Sequence, residues 1–207
     1  MDIVEELAAI HREVDVPDDP GGTVRVTLRR RYPTTADDLW AALTDPERMR
    51  RWFMPLHGDL RVGGTFQLEG NAGGEILACE PPRLLRVTFG HETSIVVLRL
   101  TDAGDEDLDL ELELEHTVPV EMAGSAAGSL FVGPGWDGAL MGLGLYVRGE
   151  AVGDPVAAAS SPEVIEFNRH SIDRWTAVTE GKATAEEIEA ARQMSFAQFV
   201  PDDAPTA

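Results

Sequence analysis

Alternating apolar and polar residues mark the strands of this chain. Residues 23–32 alternate valine and leucine with arginine and threonine, the period of a half-buried strand. Between residues 59 and 117, similar runs separated by Gly-Gly, Pro-Pro and Ala-Gly-Asp turns predict about six antiparallel strands. The clearest covers residues 107–116, where leucines at even positions oppose aspartates and glutamates at odd positions. His116 continues the leucine parity, so we expect it to face inward.

Two short helices are predicted between the first strand and the others. Thr35 with Asp38, and Thr44 with Glu47, have the capping-box spacing, in which a hydroxyl and a carboxylate three residues apart satisfy free backbone donors. The first helix must end before Thr44, so both helices are short.

A long amphipathic helix is predicted at residues 133–149. Gly138, Gly142 and Gly144 lie inside it, and each costs up to about 1 kcal/mol relative to alanine. We therefore expect a reason for them: either the helix closely approaches the sheet, or it leaves empty volume beside it. The apolar stripe falls at i, i+4, i+7 and i+11 and consists of Trp136, Leu140, Leu143 and Val147.

The segments at both ends of the chain are predicted to lie outside the main domain. Residues 3–12 predict a short helix, and the prolines and glycines that follow indicate a linker. Near the other end, Ser161-Pro162 starts a helix that stops at Gly181, and Thr184 caps a last helix reaching about Phe199. These two helices are too apolar for a free tail, so they dock on the domain or pair with a second copy as a homodimer. The predicted division is residues 1–22 (helix and linker), 23–152 (main domain) and 153–207 (linker and helical extension).

The order of elements predicts an α+β fold of the helix-grip kind. A curved antiparallel sheet of about seven strands would wrap round the long helix, because the inward leucines and valines need a partner. The two short helices would close one end and leave a cavity.

Composition narrows the functional classes. The 207 residues include 17 basic and 37 acidic side chains, a net charge of −20, which disfavours nucleic acid and anionic membranes as partners. No apolar run reaches about 18 residues, and the acidic N-terminus does not resemble a signal peptide, so we expect a cytoplasmic protein. Sixteen arginines against one lysine are typical of a GC-rich bacterial genome. The single cysteine, Cys79, sits in a predicted strand and is expected to be inert.

Several segments in this order resemble the SRPBCC superfamily, also called START-like or Bet v 1-like, and within it the branch of the C-terminal domain of the Hsp90 ATPase activator. The resemblance covers roughly residues 24–150 and implies the helix-grip fold. The matching segments are Leu39-Trp40, TDPERMRRWF (44–53), RVGGTF (61–66), GGEILACEPPRLLRVTF (73–89) and Gly135-Trp136.

Candidate site residues surround the presumed cavity. His116 could be a general base or a ligand anchor, although a histidine satisfied by one backbone carbonyl is the plainer interpretation. The five histidines are scattered without metal-ligand spacing, so we expect no metal and no cofactor. The basic clusters 29–31 and 48–51 are expected to pair mostly with the chain's own carboxylates. The predicted ligand-binding residues are Trp40, Trp52, Phe53, Phe66, His116, Trp136, Leu140 and Met141, with Met54 as a further candidate.

Three functions fit these features. The first is binding of a hydrophobic small molecule between the sheet and the long helix. The second is a polyketide cyclase- or dehydratase-like enzyme, in which His116 acts as acid or base aided by a carboxylate such as Glu75. The third is a partner-binding protein resembling the co-chaperone domain, which would use the arginine clusters and the two extra helices.

Overall fold

The computed structural model describes residues 2–16, 22–103, 109–150 and 153–201. The strands are β1 (Ile10–Asp15), β2 (Thr23–Pro33), β3 (Leu56–Gly58), β4 (Thr65–Leu68), β5 (Gly73–Glu80), β6 (Leu84–Phe89), β7 (His91–Asp102) and β8 (Asp109–Pro119). Within these ranges they form one sheet in the order β1-β2-β8-β7-β6-β5-β4-β3, and every neighbouring pair is antiparallel.

The helices lie before, between and after the strands. They are α1 (Ile3–Ala8), α2 (Ala36–Thr44), α3 (Pro46–Met49), α4 (Val120–Ala123), α5 (Gly133–Val147), α6 (Pro155–Ala158), α7 (Pro162–Thr179) and α8 (Ala185–Phe199), with a 3-10 helix at Ala126–Phe131. Helix α5 buries Leu140 and Leu143 in the same core as Leu112 and Leu114 of β8, so the inward leucines have the predicted partner. The sheet curves round α5, which confirms the helix-grip fold.

The sheet has one strand more than expected, because part of the predicted N-terminal helix is β1. Helix α1 ends at Ala8, and residues 10–15 pair with β2. Ile10 and Val14 are buried, and Arg12 points the same way with its side chain only 6% exposed. Because Arg12 is charged but points inward, residues 10–15 lack the alternation of apolar and polar residues that would predict a strand.

The predicted cap is confirmed for α2 and is wrong for α3. Thr35 caps α2 through its hydroxyl, which accepts a hydrogen bond from the Asp38 N–H, as predicted. The cap of α3 is Asp45 rather than Thr44: the Asp45 carboxylate accepts from the Glu47 N–H at 2.8 Å. The Thr44 hydroxyl instead donates to the Trp40 carbonyl at 2.8 Å, and Thr44 is the last residue of α2.

Two segments rich in small residues form regular secondary structure. Gly73 and Gly74 begin β5 instead of forming a turn, and a Cβ at Gly74 would lie 2.0 Å from the Thr88 carbonyl oxygen of β6. The small-residue segment after α4 forms the buried 3-10 helix. In both places small side chains permit close packing of the backbone. A segment rich in small residues can be either closely packed or flexible, and its composition alone does not distinguish the two.

The glycines of α5 serve both of the purposes that their sequence suggested. A Cβ at Gly138 would meet nothing within 4 Å, so this glycine leaves open volume. A Cβ at Gly144 would lie 2.5 Å from Nη2 of Arg30, so this glycine allows a close approach. Arg30 is 4% exposed and donates to the Glu6 carboxylate at 2.7 Å. Gly144 therefore makes room for a buried ion pair between β2 and α1.

Replacing Gly144 by alanine is expected to lower the free energy of unfolding by about 2 kcal/mol, because the added methyl displaces a buried guanidinium. Gly138→Ala is the matched control. Its methyl enters open space, so the better helix propensity should raise stability by up to about 1 kcal/mol. Urea denaturation of both variants measures the difference, and equal stability of the two would contradict this role of Gly144.

Candidate functional site

An apolar cavity of about 180 Å³ lies between the concave face of the sheet and α5. We call it the inner cavity. Strands β4 to β8 supply its floor, α5 covers it, and the segment from α3 to β3 closes one end. Its lining residues are almost all apolar: Leu43, Thr44, Met49, Trp52, Phe53, Leu56, Leu60, Arg61, Phe66, Leu68, Ile76, Cys79, Leu85, Val87, Phe89, Val96, Leu98, Leu112, Leu114, Trp136, Ala139, Leu140 and Leu143.

The structure brings five of the eight predicted site residues to this cavity. Trp40, His116 and Met141 do not line it, and the five that do are Trp52, Phe53, Phe66, Trp136 and Leu140. Met141 follows Leu140 on α5 but faces the other side of the helix, where it packs with Leu7 and Phe167. Adjacent residues of an α-helix are rotated by about 100° about its axis. Leu140 therefore points into the inner cavity, while Met141 points toward Leu7 and Phe167.

Cys79 lines the inner cavity, although it is not among the predicted site residues. A register shift between Ile76 and Ala78 interrupts the alternation along β5. Ile76 and Cys79 consequently both line the cavity, three residues apart, while Glu75 is exposed. The bulge has no strong signal in the sequence, because strict alternation places Ala78 rather than Cys79 on the same face as Ile76.

His116 is buried, as its parity predicted, but it lies behind the cavity wall. Its Nδ1 accepts a hydrogen bond from the Trp136 indole N–H at 3.1 Å, and its Nε2 lies 2.8 Å from the Ser94 hydroxyl oxygen. Since the indole can only donate, Nδ1 must be unprotonated, and the neutral ring carries its proton on Nε2. Burial lowers the pKa of His116 to about 4. The histidine is therefore neutral near pH 7, and its only lone pair is occupied.

His116 thus fixes the position of Trp136, which does line the cavity. The two rings meet edge-to-face with centroids 5.8 Å apart, and Phe89 packs against both. A hydrogen bond and two aromatic contacts leave the Trp136 ring little freedom. The sequence predicted the inward direction of His116 but gave no sign of its partners, which come from β7 and α5.

Asp137 is the most buried charged residue near the site, and it was not predicted. It is fully buried on α5, next to Trp136, and both carboxylate oxygens lie 2.9–3.0 Å from Nε of Arg12. Ser171 and Trp175 of α7 donate to Oδ2 at 2.5 and 3.0 Å. Burial raises the pKa of Asp137, against the opposing effect of the Arg12 charge. One carboxylate thus joins β1, α5 and the C-terminal extension.

Most arginines of the two basic clusters pair with the chain's own acids, as expected. Arg29 donates to Glu113 at 2.7 Å, and Arg31 lies 3.7 Å from Glu111. Arg48 bonds Asp38 at 2.7 Å, which lowers the pKa of that carboxyl. These pairs leave little unbalanced positive charge on the outer face of β2 or on α3.

Two kinds of feature are absent from the described ranges. No group of three or more histidine, cysteine, aspartate or glutamate side chains is placed to hold a metal ion. No helix in the same part of the chain has the length and hydrophobicity needed to cross a bilayer.

A second, more open space of about 570 Å³ lies on the other side of α5. We call it the outer groove. Residues of α5 form one wall, and α6 with parts of α7 and α8 forms the other. Met54 lines this groove rather than the inner cavity. The residues that border both spaces are Trp52, Phe53, Phe89, Trp136 and Ala139.

A curved antiparallel sheet, one long helix and an apolar cavity between them define the SRPBCC class of ligand-binding folds. Residues 33–148 match the family described as Activator of Hsp90 ATPase homolog 1-like protein. That span is more than half of the chain, and the chain belongs to this family.

Solved structures of other proteins agree with this assignment. CalU16 from Micromonospora echinospora is 37% identical, with a TM-score of 0.68 over 84% of this chain and 99% of that one. EF2215 from Enterococcus faecalis, a conserved protein of unknown function, is 14% identical, with a TM-score of 0.60 over 85% of this chain and 95% of that one. DynU16, a protein in the dynemicin biosynthetic locus, is 24% identical, with a TM-score of 0.52 over 67% of this chain and 49% of that one. The last two likenesses show the fold alone. No curated protein matches the chain.

Proposed function

We propose that this protein binds a hydrophobic small molecule in the inner cavity. The observation that carries the proposal is the apolar lining of a space of about 180 Å³. An engineered cavity of about 150 Å³ in another protein binds benzene, so this volume suits an apolar group of one or two rings. Thr44 and Arg61 are the polar exceptions in the lining, and both already have partners, in the Trp40 carbonyl and in Asp59. Hydrophobic contact and shape would therefore select the ligand.

The enzymatic alternative has less support. His116 does not line the inner cavity, and its lone pair accepts the Trp136 N–H. Glu75, the carboxylate considered as its helper, is exposed. Acid–base catalysis requires a group within hydrogen-bond reach of the substrate, and neither residue meets this condition for a molecule in the cavity.

The partner-binding alternative also loses its main argument, because the arginine clusters are largely paired within the chain. The homodimer through the C-terminal helices stays a prediction. Phe167, Ile172 and Trp175 of α7 are fully buried against the same chain, so this face is already occupied.

Naphthalene is a suitable probe, since its two fused rings match the cavity volume. We expect isothermal titration calorimetry of the wild type to give a dissociation constant on the order of 10–100 µM, typical of an efficient ten-carbon ligand. Val87→Phe places a ring in the cavity from β6 and should weaken binding at least tenfold. Cys79→Phe fills the cavity from β5 and should have the same effect.

The matched control is Val4→Phe, at a residue of α1 that is 67% exposed. It makes the same chemical change away from the cavity and should leave binding unaltered. Absence of naphthalene binding to folded wild-type protein, or equal binding by Val87→Phe and Val4→Phe, would exclude the inner cavity as the binding site.

A further inference from the structure

The inner cavity and the outer groove are separated by a layer of side chains that consists of four aromatic residues and Ala139. Trp52, Phe53 and Trp136 belong to this layer and border both spaces. The outer groove, at about 570 Å³, has roughly three times the volume of the inner cavity. A molecule reaching across the layer would therefore have most of its bulk in the groove.

The aromatic layer is anchored at two of these three residues. The Trp52 indole donates to the Ala42 carbonyl at 3.0 Å, and the Trp136 indole donates to His116. The Phe53 ring has no polar atom and is half-buried, stacked on Trp52 at a centroid distance of 5.3 Å. Packing alone holds it, so the Phe53 side chain can change rotamer without breaking a hydrogen bond of the layer.

The outer groove differs chemically from the inner cavity. Its walls include apolar groups such as Phe131 and Phe199, and polar side chains also border it. Asn168, one of the groove residues, donates to the Phe199 carbonyl at 2.9 Å, and its amide oxygen is a further hydrogen-bond acceptor. The polar side chains along the groove are Arg51, Asn71, Glu150, Asn168 and Gln198. This combination suits a molecule with apolar surface and hydrogen-bonding substituents.

Gly138 adds a further feature of the groove. It lies on the α5 wall, where a Cβ would meet nothing within 4 Å. A glycine costs helix stability at this position, and the space it leaves is groove volume rather than a packing contact. Any larger residue here would narrow the groove.

We propose that the outer groove is a second ligand subsite, joined to the inner cavity past Phe53. The ligand class is an elongated amphipathic molecule whose small apolar end occupies the inner cavity and whose larger, polar-substituted part lies in the groove. This inference rests on the proposed function and identifies the class of molecule that the same site takes.

A pair of probes tests the two subsites separately: naphthalene and its 2-naphthyl triethylene glycol ether. Naphthalene reports on the inner cavity, and the ether adds an uncharged polar chain long enough to enter the groove. We expect the ether to bind wild-type protein about tenfold more tightly than naphthalene in calorimetric titrations. Gly138→Leu should remove this advantage and leave the affinity for naphthalene within twofold.

A second variant narrows the groove from its other wall. Ala158 of α6 lines the groove, whereas its neighbour Ala157 does not, and both are exposed. Ala158→Phe should weaken the ether as Gly138→Leu does, and Ala157→Phe should behave as wild type. Thermal unfolding of each variant confirms that it is folded.

The outcomes separate the two proposals. If the ether binds no more tightly than naphthalene, or if Gly138→Leu and Ala158→Phe leave its affinity unchanged, the groove is not a subsite and the inner-cavity function stands. If naphthalene itself fails to bind, the proposed function fails, and the joined site fails with it.

Discussion

Replacing Asp137 by alanine is expected to lower the free energy of unfolding by about 3–5 kcal/mol, the range for breaking a buried ion pair from one side. Arg12 would keep its charge with a side chain only 6% exposed and no carboxylate beside it. Ser171 and Trp175 would also lose their acceptor. The loss should appear as a lower midpoint in urea denaturation followed by circular dichroism.

Two further variants serve as comparisons for Asp137→Ala. Asp137→Asn keeps an oxygen for the α7 donors but removes the charge, so its loss should be smaller than that of alanine. Asp173→Ala removes an exposed carboxylate of the same region, 3.1 Å from Arg192, and should cost less than 1 kcal/mol. A loss for Asp137→Ala no larger than that for Asp173→Ala would show that the buried network does not secure the extension.

Acidification is expected to destabilise the protein through His116. Burial lowers its pKa to about 4 in the folded state, against about 6.5 in the unfolded chain. Between these values the unfolded state binds the proton more tightly, so the stability contribution is complete above pH 6.5 and is lost as the pH falls towards 4. From pH 7 to pH 4.5 the loss amounts to about 2.5 kcal/mol.

The measurement compares pH profiles of stability rather than single values. His116→Gln retains an acceptor for Trp136 and a donor for Ser94 but does not titrate, so its stability should fall by about 2.5 kcal/mol less than that of the wild type between pH 7 and 4.5. His170→Gln is the control, because His170 is exposed on α7. Its profile should follow the wild type, and a His116→Gln profile parallel to the wild type would rule out this histidine as the source.

Asp137 and His116 both support the site from behind the cavity wall. Asp137 and His116 flank Trp136, one as its neighbour on α5 and the other as its hydrogen-bond partner on β8. Neither lines the inner cavity. Their effect on ligand binding therefore passes through the position of the Trp136 ring, which separates the inner cavity from the outer groove.

The helices and strands were predictable from the sequence wherever apolar and polar residues repeat at a regular period. The leucines of β8 and the stripe of α5 indicated which faces meet, and the order of elements predicted the fold. Trp136 and Leu140 of that stripe line the inner cavity. The capping residues Thr35 and Thr184 likewise fixed two helix starts, because a cap depends only on neighbours three residues away.

Features that depend on partners from other elements became evident only in the folded chain. Arg12 in β1 and Asp137 in α5 look like surface residues until they are seen to neutralise each other inside the protein. A bulge in β5 turned Cys79 into the cavity, and one step of helix rotation turned Met141 away from it. Local patterns specify the direction of a side chain relative to the backbone. The groups that it meets there belong to other elements, 20 residues away for His116 and Trp136 and 125 for Arg12 and Asp137.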